Sequence, residues 1–289
     1  MTKPARVLAI CADDFGLTPA ISRGIAQLAQ RGRLTAVSCL TNGSHWPGSA
    51  ALLAELPVAV DRGLHFNLTE GEPLSAELRR RWPRLPSLPG LIAAAHLRRL
   101  PLLEIACEWQ AQWQSFIDAT GAAARFVDGH QHVHHLPGIR ELMLARLADT
   151  RSAVAVRNTG ATIGPGAGMK RLLIELTGGR RLERLLRQAR VEHNGALLGV
   201  YGFNDPDYRG RMLRWLAAAP ASGGLLFCHP AARADSTLDT GASDPGAADA
   251  IAPARLREAA YLGSSNFADD LACAGITLGH AWQRSPSGI

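Results

Sequence analysis

Val7-Leu8-Ala9-Ile10-Cys11-Ala12 runs straight into Asp13-Asp14-Phe15-Gly16. The unbroken apolar run has the length and character of a strand buried on both faces of a parallel sheet. Its end is unusual, because two adjacent carboxylates are costly to bury unless something cationic meets them. A turn followed by a helix N-terminus would also suit the acids. The same arrangement recurs three times. Val58-Ala59-Val60 leads through Arg62-Gly63-Leu64 to His65-Phe66-Asn67-Leu68-Thr69, Arg125-Phe126-Val127 leads to Asp128-Gly129-His130, and Gly223-Gly224-Leu225-Leu226-Phe227-Cys228 leads to His229-Pro230-Ala231. Helical patterns follow several of these strands. Thr18 is placed as an N-cap with Pro19 at the first helical position, and Ile21, Ile25, Leu28 and Ala29 mark one face. Pro137 opens another helix running to Leu147, and further strands are expected within Leu34–Leu40, Ala153–Arg157, Ala196–Tyr201 and Gly275–Leu278. Alternation of this kind predicts an α/β protein with about seven parallel strands in a distorted or incompletely closed (β/α) barrel, its site at the C-terminal strand ends. A doubly wound open sheet is the other fold the pattern allows.

The densest chemistry lies in Asp128-Gly129-His130-Gln131-His132-Val133-His134-His135, four histidines in six residues of a chain that has ten. Imidazole is the commonest ligand for borderline transition metals, and a neighbouring carboxylate can share the metal or orient a ring. Read as extended chain, the segment places His130, His132 and His134 on one face. It is not a complete site. One metal held by an aspartate and two histidines, with positions left open for water, accounts for the polar ends of the first three strands together. Taken alone, His65 reads as a hydrogen-bonded core histidine.

Four motifs, Ala12-Asp13-Asp14-Phe15-Gly16, Gly63 to Thr69, Asp128 to His134 and Cys228-His229-Pro230-Ala231, resemble in order those of the YdjC family of carbohydrate deacetylases. That family includes chitooligosaccharide deacetylases and proteins associated with hopanoid biosynthesis. The resemblance extends from residue 7 to about residue 280. It implies a NodB-like distorted barrel and divalent-metal-dependent removal of N-acetyl groups from an amino sugar, oligosaccharide or glycolipid. It further implies that Asp14, His65 and His130 hold the metal and that Asp13 is the base. Cys11 departs from the asparagine common at its position, and residues 161–190 carry no pattern that the resemblance places.

Two imidazoles and a carboxylate favour zinc, cobalt, nickel or ferrous iron, whereas the resembled family is described with magnesium. In the chemistry this implies, Asp13 takes a proton from the attacking water, and the leaving amine needs an acid, for which His229 is the candidate. Arg157, at the end of a strand, is expected to orient Asp13 or bind substrate. His132 is expected to touch substrate or support a ligand. Hydrolysis of an ester or phosphodiester and non-catalytic carbohydrate binding are the competing functions. Retention of Asp13, Asp14 and His229 argues against the second, since binding a sugar needs no base and acid.

A chain of 289 residues with no linker and no internal repeat fits a single domain over residues 1–289. The Pro-rich stretch Trp82–Gly90 and the Ala, Ser, Asp and Gly-rich stretch Asp235–Asp249 read as long loops near the site. The net charge of +6 is almost wholly arginine, Lys3 and Lys170 being the only lysines, and clusters stand at Arg79–Arg81 and Arg180–Arg190. Such patches suit nucleic acid or an anionic membrane. Without an accompanying nucleic-acid motif they read as solvated helix faces, and no nucleic-acid partner is expected. Five dispersed cysteines without a CxxC predict buried thiols in a reducing compartment. No signal-peptide pattern and no apolar run near the ~18 residues of a membrane span are present, so a cytoplasmic protein without an obligatory membrane anchor is expected. The composition leaves room for a homodimer.

Overall fold

Eight strands alternate with helices along nearly the whole chain. The computed structural model describes residues 6–150, 153–165, 168–234 and 249–282. The strands are β1 (Arg6–Phe15), β2 (Ala36–Cys39), β3 (Asp61–Phe66), β4 (Phe126–Gly129), β5 (Ala155–Val156), β6 (Leu197–Leu198), β7 (Gly224–Cys228) and β8 (Ile276–Leu278). The helices are α1 (Pro19–Gln30), α2 (Trp46–Ala54), α3 (Ala76–Arg81), α4 (Leu88–His96), α5 (Leu102–Thr120), α6 (Ile139–Ala148), α7 (Gly168–Ile174), α8 (Arg180–Gln188), α9 (Tyr208–Ala218), α10 (Ala252–Leu262) and α11 (Ser265–Ala274).

Seven strands hydrogen-bond in the order β5-β4-β3-β2-β1-β7-β6, with β8 added to the first half of β1. Every pairing is parallel. Between β5 and β6 the ladder shrinks to isolated bridges, Val156 with His193 and Thr162 with Leu197. The result is the distorted, incompletely closed barrel that the strand–helix alternation predicts.

Alternation along β1 divides the core. Leu8, Ile10 and Ala12 pack outward under the helices, while Ala9 and Cys11 join Ala36, Phe126, Ala155, Leu197, Leu225 and Phe227 in a separate interior cluster. Trp282 stacks on Phe126 at 4.6 Å within that interior. Gly63 is required by close packing, because a Cβ there would stand 2.4 Å from the Phe126 ring. The first helix starts where its capping signals place it: the Thr18 hydroxyl accepts from the Ile21 N–H at 3.2 Å, with Ile21, Ile25, Leu28 and Ala29 buried.

Some expectations are corrected. Residues 130–135 are not extended. The chain leaves β4 at Gly129 and enters a 3-10 turn in which Gln131 and His132 adopt left-handed φ values of 52° and 63°. The Trp82–Gly90 loop ends at Ser87, since Pro89 fits the first turn of α4, where no N–H partner is needed. Cys11, Cys39 and Cys228 are buried, but Cys107 and Cys273 are exposed on helices. Residues 235–248 of the second expected loop lie outside the described residues. Among the described residues, no helix is long and apolar enough to cross a membrane.

Candidate metal centre and active site

Three strand ends deliver one carboxylate and two imidazoles to a common point. The β1 register shifts between Ala12 and Phe15, and Asp14 sits there at a left-handed φ of 70°. Neighbouring residues of a regular strand face opposite ways. The irregularity is strained for an aspartate and concentrated at a site with chemistry. Asp14 Oδ1 lies 3.0 Å from His130 Nδ1 and 3.4 Å from His65 Nε2. One donor atom from each of the three groups falls within 4.8 Å of the others, and all three residues are buried. The side chains expected to converge therefore do so.

Parallel register fixes His65. It pairs with Asp128 across β3 and β4, and its Nδ1 lies 2.6 Å from Asp128 Oδ1. The Ser38 hydroxyl, from β2, donates to the same carboxylate oxygen at 2.5 Å. Nδ1 is thus engaged and Nε2 is left facing Asp14. His130, the first residue beyond β4, places Nδ1 on Asp14 and Nε2 2.9 Å from Glu70 Oε2.

The electrostatics suit a cation. Burial alone would lower His65, yet the Asp128 charge, with hydrogen bonds to Asp128 and Asp14, pushes its pKa up to about 10. Burial likewise opposes protonation of His130, and Asp14 and Glu70 raise it nonetheless. Asp14 is held well below the ordinary carboxylate range against its desolvation, chiefly by Arg255 and His130. The carboxylates around both imidazoles favour positive charge at this point. The donor set fits a divalent ion: one carboxylate and two imidazoles, one of which, His65, is oriented from behind by Asp128.

Asp13 lies in a different grip. Arg157 is 0% exposed and donates to both carboxylate oxygens, Nη1 to Oδ2 and Nη2 to Oδ1, each at 2.6 Å. The same guanidinium reaches Asp128 Oδ2 at 2.5 Å and Cys11 Sγ at 3.1 Å. Of the two roles expected for Arg157, its buried position with the guanidinium on Asp13 is compatible with orienting that carboxylate. Cys11, the departure from the family motif, remains a neutral thiol whose pKa burial raises.

His229 follows β7 directly. Its ring lies against Phe203 at 5.2 Å and Phe227 at 5.5 Å, and Nδ1 is buried without a partner among the described residues. Burial pulls its pKa down to about 4, although Asp14 and Asp13 act in the opposite direction. His132 packs against the same Phe227 ring at 5.2 Å with Nδ1 likewise unpartnered, and burial keeps it well below its usual range. His134 and His135 fasten the turn: His134 Nε2 meets the Arg157 carbonyl at 2.9 Å, and His135 bridges the hydroxyls of Thr159 and Thr177.

Several residues of the site carry little sequence signal. Asp128 stands inside the histidine motif and Glu70 directly follows the His65 motif, so their positions were visible although their partners were not. Arg255 and Glu258 come from α10. Arg255 donates to Asp14 Oδ2 at 2.8 Å and to Asp249 Oδ2 at 2.7 Å. Glu258 is fully buried, where it accepts from the Tyr201 hydroxyl and from the His229 backbone N–H.

A barrel with an aspartate–histidine–histidine centre at its strand ends matches the family model described as YdjC-like protein over residues 7–273. The chain belongs to the YdjC-like family. It is 36% identical over 168 residues to proteins named chitooligosaccharide deacetylase from Salmonella typhimurium and Salmonella typhi. Each match covers 55% of this chain and 61% of the relative. A crystal structure of a proposed cellobiose-phosphate cleavage protein from Enterococcus faecalis V583 shares the fold, with a TM-score of 0.68, 22% identity, and coverage of 96% of this chain and 98% of that one.

Proposed function

We propose that this chain is a divalent-metal-dependent hydrolase that removes N-acetyl groups from an amino sugar, oligosaccharide or glycolipid. The observation that carries this reading is the convergence of Asp14, His65 and His130 beside an aspartate that Arg157 holds in place. The names of the Salmonella relatives support the bond and the substrate class.

Asp14, His65 and His130 would hold the ion, which would supply Lewis-acid polarisation of the acetamide carbonyl and of the attacking water. Asp128 keeps the His65 ring oriented and its Nδ1 proton engaged. Arg255 balances the charge of Asp14 on its second oxygen. Asp13 takes the proton from water, with Arg157 fixing the direction of its carboxylate. His229 is neutral in the free site because burial lowers its pKa to about 4. Negative charge developing on the carbonyl oxygen favours its protonated form. His229 takes that proton from solvent and gives it to the departing amine, while Asp13 returns to solvent the proton it took from water, which restores both groups.

The test is a substrate panel. Metal-reconstituted protein is incubated with N-acetylated chitooligosaccharides, N-acetylated glycolipids, acetate esters and phosphodiesters, and acetate and phosphate are assayed. Acetate with a matching amount of free amine is expected from N-acetylated substrates. Turnover confined to esters or phosphodiesters, or no turnover of any substrate, overturns the proposal.

A further inference from the structure

Seven of the eleven large hydrophobic side chains exposed among the described residues fall within 97–103 and 169–176. Isolated exposed leucines are ordinary, but clustering of this kind marks an interaction surface. Met169, Leu172, Leu173 and Leu176 have the spacing of a single helical face. That face turns outward, with Met169 84% exposed, and α7 continues into the π-helical turn Glu175–Gly179 that carries Leu176. Leu97 lies beside it, because His96 Nε2 donates to the Thr177 carbonyl at 3.2 Å and ties the end of α4 to that turn.

Two contacts link this segment to residues around the site. Thr177 bonds His135, five residues beyond His130. Lys170 donates to the Tyr201 carbonyl at 3.1 Å and stands 4.9 Å over the Phe203 ring, which touches His229. The surroundings are basic. Arg98, Arg99, Arg181 and Arg184 are exposed, while Glu175 takes up Arg171 and Arg180, and Glu183 takes up Arg187.

We propose that this patch is a docking surface for an anionic lipid bilayer. Leucine and methionine on one helical face with an arginine collar match the boundary between acyl chains and negatively charged headgroups. A two-fold contact between copies of the chain would set the same arginines against one another. This inference does not depend on the reaction proposed above.

The test is flotation of the full chain with vesicles of phosphatidylcholine alone and of phosphatidylcholine with about one third phosphatidylglycerol. Flotation with the anionic vesicles is expected, weakening as salt rises. Leu172→Ser/Leu176→Ser should lower partitioning by about tenfold or more. Arg181→Glu/Arg184→Glu should also lower it and flatten the salt dependence. All four positions are outside the candidate centre, so near-UV circular dichroism and hydrolysis of soluble substrate serve as controls for folding. Absence of wild-type flotation, or equal flotation by the leucine variant, overturns the inference. A wild-type dimer in light scattering that the leucine variant converts to a monomer also overturns it, and assigns the patch to a second copy.

Discussion

Asp128 Oδ1 lies 2.6 Å from His65 Nδ1 across two adjacent parallel strands, and the contact leaves His65 Nε2 facing Asp14. Asp128 is charged in this setting. Burial opposes its ionisation, but Arg157 and His65 hold its pKa far below the ordinary carboxylate range. It is therefore a fixed anion behind a ring, which settles the tautomer of that ring and raises its basicity as a ligand. Asp128→Asn should reduce metal affinity about 10- to 100-fold while leaving the fold intact. Competition titration against a chelating dye measures this, and unchanged affinity would remove Asp128 from the centre.

Asp13 and His65 should separate chemistry from binding. Asp13→Asn is expected to retain metal and lower kcat about 10²- to 10⁴-fold, since it removes a base and not a ligand. His65→Ala should lose metal and turnover together. An Asp13→Asn protein that binds no metal in the same titration would show that the two carboxylates have each other's roles.

Metal binding should release protons. The His65 pKa of about 10 belongs to the metal-free site, and His130 is raised as well. Below about 10 the His65 imidazole is protonated, and a ligand imidazole must be neutral. Apparent affinity should rise with pH toward about 10. Calorimetric titration at pH 7 in buffers of different ionisation enthalpy should show about one to two protons leaving per metal. Zero release would place the metal elsewhere.

His229 enters neutral, its pKa lowered to about 4. Its descending alkaline limb is thus expected in kcat, which reports the complex, and not in kcat/KM near neutral pH, which reports the free enzyme. His229→Ala should lower kcat about 100-fold for an acetylated amine and far less for an activated N-acyl substrate whose leaving group needs little protonation. Equal losses on both substrates would make His229 structural and leave His132 as the next candidate acid.

Glu258 gives a stability test away from the metal. Burial pushes its pKa up to about 7, against hydrogen bonds from Tyr201 and the His229 N–H. The folded state therefore favours the protonated carboxyl. The associated stability is complete below the ordinary glutamate pKa and is lost as pH rises through about 7. The shift corresponds to ~3 kcal/mol. Comparison of denaturant midpoints from pH 4 to 8 should show a steeper decline in the wild type than in Glu258→Gln, whose amide mimics the protonated carboxyl. Parallel profiles for the two proteins would contradict it.

Much of this architecture was legible where its cause is local. Thr18 and Pro19 place the start of α1 correctly because capping chemistry is written in adjacent residues. The strand ends carrying Asp14, His65 and His130 were equally plain, since an apolar run stops at a polar group. Local pattern failed where tertiary contacts decide. The strand expected over Ala196–Tyr201 shrinks to Leu197–Leu198, because Gly199 takes a φ of 109° so close to β7 that a Cβ would lie 2.3 Å from the Phe227 carbonyl oxygen. The histidine motif suggested alternation, but left-handed Gln131 and His132 turn the chain instead. Arg255 reaches Asp14 across 241 positions of sequence, and nothing in the neighbourhood of either residue announces that contact.

Stoichiometric activation tests the central claim most directly. Protein stripped by chelator is titrated with zinc, and acetate release from an N-acetylated oligosaccharide is followed beside His65→Ala. Wild-type activity should climb from background to a plateau at one metal per chain, while His65→Ala stays at background throughout. Acetate release by the stripped wild type at the full rate, or equal activation of His65→Ala, would contradict a metal centre built on Asp14, His65 and His130.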